Sequence, residues 1–212
     1  MAKTWIKMCG LKQIQEVNTA VELGVDAIGL VFYAPSSRSI DAVDIEQVLP
    51  NELRDTKVVA LFVDPKKEEV EAVLASGRID LLQFHGREEP SFCASFGKPY
   101  LKAVGVSEAA DIASIEAFFS VYESAQYVLL DTFDAQDHGG TGHSFDWSQA
   151  AALSAKSKQK MILAGGLDPE NVGAAITRVA PFGVDVSSGI EATKGRKDIN
   201  KMKQFFEGVR RA

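Results

Sequence analysis

The chain has 212 residues, of which 46% are hydrophobic and 25% are charged, a balance typical of folded globular proteins and unlike that of disordered ones. Its formal net charge is −6 and its lysines and arginines are scattered, which argues against a nucleic-acid partner because such proteins usually carry a basic face. No stretch approaches the roughly 20 apolar residues that span a bilayer, and the first residues lack the apolar segment of a signal peptide. We therefore expect a cytoplasmic protein with no membrane or nucleic-acid partner.

Eight short apolar segments recur along the chain. In chain order they are TWIKMC, DAIGLVF, KVVALFV, IDLLQFH, PYLKAVG, QYVLLDT, KMILAG and FGVDVSS. Runs such as VVALFV lack polar alternation, as expected of strands that are buried on both faces. Amphipathic segments lie between them, and the last one carries Ile199, Met202, Phe206 and Val209 at helical spacing after Asp198, a good helix N-cap.

This alternation predicts an α/β protein of the (β/α)8 TIM-barrel class. Eight strand–helix units share the chain at about 26 residues each, which suits a barrel near the lower size limit. Strict alternation implies right-handed crossovers and a parallel sheet. The competing architecture is an open doubly wound sheet, but eight complete units favour closure. No linker-like composition interrupts the chain, so we expect a single catalytic domain over residues 1–212.

In such barrels the active site forms where the strands end and the βα loops begin. The polar residues at these positions are therefore the candidates for chemistry. They are Cys9, Arg38, Asp64, Gln83, His85, Asp131 and Asp185, together with the loops after the seventh and eighth strands.

Those two loops predict a phosphate site. The seventh strand ends at Gly165 and Gly166, and the eighth ends at Ser187, Ser188 and Gly189. Glycines let backbone amides approach an anion, serines add hydroxyl donors, and a helix N-terminus adds a favourable dipole. Either motif alone is usually ordinary turn chemistry, but their pairing at consecutive strand ends favours a phosphate.

Cys9 and Asp131 end the first and sixth strands, which are not adjacent in the predicted barrel. Two proton-transfer groups so placed suit a reaction that donates a proton on one side of a substrate and removes one on the other. Position alone leaves open that Cys9 packs as a small apolar residue, as we expect of Cys93, and that Asp131 caps a loop. His85, His138 and His143 show no metal-site spacing around Cys9, so no metal is expected.

Taken together, KMCG, SSRSI, LLQFHG, LLDTF, GGTGHSFDW, LAGGLDPENV and VDVSSGIE occur in an order that resembles the signature motifs of phosphoribosylanthranilate isomerases. The resemblance covers nearly the whole chain. It implies Cys9 as general base, Asp131 as general acid and Arg38 as a contact to the anthranilate end of the substrate. It also implies substrate-binding positions for Gln83 and His85, with a structural histidine as the alternative for His85, and a phosphate held by the two loops described above.

The reaction implied is an Amadori rearrangement in tryptophan biosynthesis. Asp131 would protonate the ring oxygen of the substrate sugar, and Cys9, as a thiolate, would remove the proton from its second carbon. The substrate's own nitrogen acts as the electron sink, so the resemblance implies no cofactor and no metal. The only partner expected is a small phosphorylated substrate, with no obligatory protein partner. The glycine-rich loop DAQDHGGTGHSFDW is expected to close over the site.

The sequence departs from the family pattern at two places. Ser39 stands where an aromatic residue often follows the arginine, and ATKGRKD replaces the usual proline–glycine version of the last loop, a change expected to affect only loop shape. Two rival functions stay open. One is the corresponding aminoaldose isomerase of histidine biosynthesis, whose substrate has two phosphates and whose base resembles an aspartate at the position of Cys9. The other is a non-catalytic barrel that binds a phosphorylated metabolite.

Overall fold

Eight parallel strands close into a barrel in the computed structural model, which describes residues 3–105, 112–131, 147–157 and 159–212. The strands are β1 (Trp5–Cys9), β2 (Ala27–Val31), β3 (Lys57–Phe62), β4 (Leu81–Phe84), β5 (Tyr100–Gly105), β6 (Tyr127–Asp131), β7 (Met161–Ala164) and β8 (Gly183–Val186). Each strand pairs with the next one in sequence, and β8 pairs in parallel with β1. The predicted closed barrel is therefore confirmed, and the open doubly wound alternative is wrong.

Helices follow the strands around the outside of the barrel. They are α1 (Ile14–Leu23), α2 (Ile45–Val48), α3 (Lys67–Leu74), α4 (Pro90–Ala94), α5 (Ile112–Val121), α6 (Trp147–Lys156), α7 (Val172–Val179) and α8 (Ile199–Arg211). The predicted cap of α8 is present, since the Asp198 side chain accepts hydrogen bonds from the backbone amides of Asn200 and Lys201 at 2.8 and 3.0 Å. No helix in the described ranges is long and apolar enough to cross a membrane.

The last unit contains an element that the sequence pattern did not predict. After β8 and a single 3-10 turn (Ser188–Ile190), the chain forms a short antiparallel hairpin of β9 (Glu191–Thr193) and β10 (Arg196–Lys197) before α8 begins. The glycine-rich segment that was expected to close over the site falls outside the described residues except for Trp147, and so do His138 and His143.

Two apolar cores lie on the two faces of the barrel wall. The larger one fills the layer between strands and helices, and the smaller one fills the barrel interior. Both faces of the strands are therefore buried, as the absence of polar alternation predicted. The interior core includes Val59, Leu101, Leu129 and Ile162, which alternate along their strands with residues of the outer core.

Aromatic rings close the amino-terminal end of the barrel. The rings of Trp5 and Tyr127 stack with centroids 5.3 Å apart, and Phe182 lies 5.5 Å from Tyr127. The Lys160 ammonium sits 4.9 Å from the Phe182 ring centroid. With this end filled, the interior is accessible from the carboxyl ends of the strands, which is where the polar side chains gather.

Candidate active site

A cavity of about 450 Å³ opens at the carboxyl ends of the strands. It brings together nine of the ten residues that the sequence singled out for catalysis or binding: Cys9, Arg38, Gln83, His85, Asp131, Gly165, Gly166, Ser187 and Ser188. Asp185 also lines this cavity, which we call the site cavity. Asp64 does not. It adopts a left-handed backbone with φ of 47° and accepts a hydrogen bond from the Arg87 amide at 2.6 Å, so it stabilises a neighbouring loop.

The two candidate proton-transfer groups end their strands inside the site cavity. Cys9 is the last residue of β1 and is only 4% exposed, whereas Asp131 ends β6 and is half-buried. Gly10, directly after Cys9, has φ of 74°, a conformation that favours glycine. A side chain at Gly10 would come within 2.6 Å of the Arg38 side chain. Gly10 therefore ends the strand and also lets Arg38 cross close to Cys9.

His85 connects Asp131 to Gln83. The Gln83 side-chain amide donates a hydrogen bond to Nδ1 of His85 at 3.1 Å. Since Nδ1 accepts, a neutral imidazole carries its proton on Nε2, and Nε2 lies 3.3 Å from the Asp131 carboxylate. The Gln83 amide oxygen is buried in the site cavity and has no hydrogen-bond partner among the described residues. It is therefore available to accept a hydrogen bond from a ligand.

A buried ion pair lies beneath Cys9. Lys7, which is not exposed at all, places its ammonium 3.0 Å from each carboxylate oxygen of Asp185. Burial alone would lower the pKa of Lys7, but Asp185, with a smaller effect from Cys9, reverses this and raises the pKa. Burial raises the pKa of the Cys9 thiol above its ordinary value, and the charge of Lys7, which is the largest influence against that rise, offsets it in part. Lys7 is thus a permanent cation beside the cysteine.

Arg38 lies at the mouth of the site cavity and is held by the hairpin. Its Nε and Nη2 donate to the two oxygens of Glu191 at 2.6 and 3.0 Å. Glu191 also receives the Lys197 ammonium at 3.0 Å. Burial raises the pKa of Glu191, but the hydrogen bond from Arg38 and the charge of Lys197 outweigh it and leave the pKa below its ordinary value. In the described part of the chain, Nη1 of Arg38 has no hydrogen-bond acceptor and Nη2 uses one of its two hydrogens for Glu191, so the Nη1–Nη2 edge can still meet a second carboxylate.

The loops after β7 and β8 form one side of the site cavity. Gly165 and Gly166 both have left-handed backbones, with φ of 84° and 63°, and Ser187 donates its hydroxyl to the Cys9 carbonyl at 3.1 Å. Gly189 is not among the lining residues. Its α-carbon packs against the backbone of Leu167, where any side chain would clash. Gly189 therefore allows the two loops to approach each other, while the residues around it line the site cavity.

Several residues at this site escaped the sequence analysis. Lys7 carries a signal that was available, because a lysine in an otherwise apolar strand two residues before Cys9 shares its inward face. Glu191, Lys194 and Lys197 carried no such signal, since they belong to a hairpin of two very short strands. Lys194 lines the site cavity, so the ATKGRKD loop contributes a charged side chain to the site.

The sequence and the fold were compared with those of known proteins. A family model for N-(5'-phosphoribosyl)anthranilate (PRA) isomerase matches residues 6–208. An N-(5'-phosphoribosyl)anthranilate isomerase of Pseudomonas fluorescens is 43% identical over 204 residues, which cover 96% of this chain and 94% of that protein.

Solved structures agree with this match. The phosphoribosyl anthranilate isomerase of Thermotoga maritima superposes with a TM-score of 0.86 at 34% identity, covering 99% of this chain and 100% of that one. A phosphoribosyl anthranilate isomerase in complex with reduced 1-(o-carboxyphenylamino)-1-deoxyribulose 5-phosphate superposes with a TM-score of 0.82 at 33% identity, covering 99% of this chain and 100% of that one. With the motifs, the barrel and the cavity residues in accord, the chain belongs to the N-(5'-phosphoribosyl)anthranilate isomerase family.

Proposed function

We propose that this chain converts N-(5'-phosphoribosyl)anthranilate, an aminoaldose, into the aminoketose 1-(2-carboxyphenylamino)-1-deoxyribulose 5-phosphate, a step of tryptophan biosynthesis, by general acid–base catalysis. The observation that carries the proposal is the meeting of Cys9 and Asp131 in one cavity, between the paired β7 and β8 loops and Arg38. Membership of the isomerase family supports the reaction, and the relative that binds a reduced form of the product supports the substrate.

Asp131 is the proposed general acid. It protonates the ring oxygen of the ribose, the bond from that oxygen to the first carbon breaks, and the anthranilate nitrogen supplies the electron pair that makes a protonated Schiff base. Asp131 is the last residue of β6, at the carboxyl end of the strand, and His85 Nε2 lies 3.3 Å from its carboxyl group and fixes the orientation of that group. Gln83 holds His85 in turn through Nδ1.

Cys9 is the proposed general base. As a thiolate it takes the proton from the second carbon, and the electron pair flows into the C=N bond to give an enolamine. Loss of the hydroxyl proton and protonation of the first carbon then yield the ketose. A thiolate needs a cation nearby, and Lys7 provides one. The buried amide oxygen of Gln83 is placed to accept a hydrogen bond from a sugar hydroxyl.

The two ends of the substrate have separate proposed sites. The phosphate binds the backbone and hydroxyl groups of Gly165, Gly166, Ser187 and Ser188, with Gly189 holding the two loops together. The anthranilate carboxylate meets the free edge of Arg38, where a guanidinium can make two parallel hydrogen bonds. A substrate with one phosphate and one carboxylate suits this arrangement better than one with two phosphates, because Arg38 replaces a second phosphate loop.

A fluorescence assay tests the proposal. The purified chain is added to freshly made phosphoribosylanthranilate, and the decay of the substrate's fluorescence is followed against a protein-free control. We expect decay in proportion to the protein concentration, and no turnover of the bisphosphorylated aminoaldose of histidine biosynthesis. Tight binding of phosphoribosylanthranilate without decay would favour a non-catalytic binding barrel, and turnover of the bisphosphate alone would favour the rival isomerase.

A further inference from the structure

The register of the strands places Lys7 close to both Asp185 and Cys9. Lys7 and Asp185 lie directly opposite each other where β1 pairs with β8, so their side chains meet inside the barrel. Cys9 lies two residues further along β1 and shares the inward face of Lys7. The ion pair and the thiol are therefore stacked along one strand, with the thiol nearer the opening of the site cavity.

Gly29 brings the lysine and the thiol together. It is the direct neighbour of Cys9 where β1 pairs with β2. A side chain at Gly29 would come within 2.6 Å of the Cys9 sulfur and 3.2 Å of the Lys7 Cε. The sulfur and the end of the lysine chain thus lie beside the same glycine, and the charge of Lys7 favours the thiolate.

The charged groups around Cys9 come from several strands. Lys7 is on β1, Asp185 on β8 and Lys197 on β10, and each of them interacts with the thiol electrostatically. His85 and Asp131 act on Asp185. The strand β2 places Gly29 against the thiol, and Arg38, from the loop after β2, passes beside Gly10, the residue that follows Cys9. Among these groups Lys7 makes the largest contribution that favours the thiolate, and Asp185 keeps it charged and in place.

We propose that Lys7 is a positioning residue whose ammonium, anchored by both oxygens of Asp185, stabilises the thiolate form of Cys9 during proton abstraction. The inference rests on the proposed role of Cys9 as general base. It explains why an enclosed cysteine, whose charge burial opposes, can serve as a base: the compensating cation is built into the same strand and has no contact with bulk water.

The test measures the ionisation of Cys9 directly. Alkylation by iodoacetamide is followed as a function of pH, up to the highest pH at which the protein stays folded, and Cys9 and Cys93 are read separately by peptide mass spectrometry. Lys7→Met should move the Cys9 midpoint upward by about 1–3 pH units, the usual effect of one charge at close range. The kcat near neutral pH should fall about tenfold for each unit, with little change in KM, and should recover as the pH rises.

Three further variants make the result decisive. Lys7→Arg keeps the cation and should bring the midpoint most of the way back to that of the parent. Lys102→Met removes another buried strand lysine, outside the site cavity, and should leave the Cys9 midpoint unchanged. Because Lys7→Met leaves Asp185 buried without its partner, Lys7→Met combined with Asp185→Asn removes both charges together. This double variant should still shift the midpoint upward, but by less than the single variant, because Asp185 itself raises the pKa of Cys9.

The outcomes separate the two proposals. If Lys7→Met and the double variant keep the parent midpoint while the parent isomerises its substrate, the role of Lys7 is overturned and the reaction stands. If the parent does not isomerise phosphoribosylanthranilate at all, the proposed function is overturned whatever the thiol titration shows. An equal upward shift in Lys102→Met would also overturn the inference, because the effect would then be a general consequence of losing a buried lysine.

Discussion

Among the described residues, two of the buried lysine–carboxylate pairs each lie beside one of the two cysteines, and their surroundings differ. The inner trio is Lys7, Asp185 and Cys9, and the outer trio is Lys102, Glu88 and Cys93. The inner trio faces the barrel interior below the site cavity, whereas the outer trio lies between the barrel wall and the helices. The same three kinds of side chain therefore occur twice, on opposite faces of the sheet.

The side chains of the outer trio stabilise two loops through hydrogen bonds. Lys102 donates to the Gly86 carbonyl at 2.6 Å as well as to Glu88 at 2.9 Å, and Glu88 accepts hydrogen bonds from the backbone amides of Asp64 and Gly86. Tyr122 donates its hydroxyl to the Glu88 carbonyl at 2.8 Å. These contacts fix the loops after β3 and β4. Burial, opposed only in part by Lys102, raises the pKa of Cys93 to about 12, so this thiol stays protonated.

The inner trio makes fewer contacts with the backbone. The Lys7 ammonium is directed to Asp185 and to Cys9, and both of those residues line the site cavity. A buried charged pair therefore does not by itself indicate function. What separates the two trios is whether the neighbouring acceptors belong to loops that need support or to a group that can reach a ligand.

The largest expected difference between the trios is in turnover. Cys9→Ala should lower kcat by at least ~100-fold, within the range for loss of a general base, and Asp131→Asn should do the same for the acid. Cys93→Ala should leave kcat unchanged and lower the free energy of unfolding by about 1 kcal/mol, a typical cost of a point substitution. Steady-state kinetics and urea unfolding check both. If folded Cys9→Ala kept near-normal turnover, Cys9 would be no more catalytic than Cys93, and the two trios would not differ in function.

The second difference is in stability. Lys102→Met leaves Glu88 without its cation and should lower the free energy of unfolding by about 3–5 kcal/mol, the usual cost of breaking a buried pair, while the folded fraction keeps its kcat. Lys7→Met should cost a similar amount and should also lose turnover. Denaturant unfolding together with kcat per folded molecule measures this contrast. A Lys102→Met protein that was fully stable but inactive would reverse the roles assigned to the trios.

A third ion cluster lies at the mouth of the site cavity, where a partly exposed Arg38 pairs with the buried Glu191 and Lys197. Arg38→Met should cost roughly 1.5–3 kcal/mol of substrate binding, typical of a hydrogen bond to a charged group, and mainly raise KM. Arg78→Met, which breaks a surface pair with Glu46 at 2.7 Å, is the matched control and should leave KM unchanged. On a substrate analogue without the carboxylate, Arg38→Met and the parent should perform alike. If Arg38→Met still has a higher KM than the parent for this analogue, Arg38 acts only by holding Glu191.

The smallest expected effect is that of inorganic phosphate. At about ten times its dissociation constant, phosphate bound at the β7 and β8 loops should stabilise the protein by about 1.4 kcal/mol and slow alkylation of Cys9 but not of Cys93. Gly189→Ala should abolish this effect, because its side chain would push the loops apart. Gly173→Ala, where a side chain meets only the Gly208 carbonyl at 3.8 Å, should retain it. Equal stabilisation of both glycine variants by phosphate would place the anion elsewhere.

The sequence was sufficient for the barrel and for most of the site cavity, because strand ends in a parallel barrel converge on one face. Cys9, Asp131 and Gly165 are found by position in the strand alone. Lys7 could also have been found, since a two-residue spacing shares a face. The Arg38–Glu191 pair could not, because its partner is in a hairpin with no alternating pattern. Nor could the role of Gly189, which depends on the approach of two loops.

The contacts that assemble the site have a consequence for folding. Arg38 bonds Glu191 across 153 residues of sequence, and Lys7 bonds Asp185 and Ser187 bonds Cys9 across 178 residues each. All three span the seam where the last strand meets the first. Closing so long a loop is slow relative to local pairing, so we expect catalytic competence to be the last property acquired during refolding. During refolding, enzyme activity should therefore return later than helix content, and its return should mark the closure of the barrel.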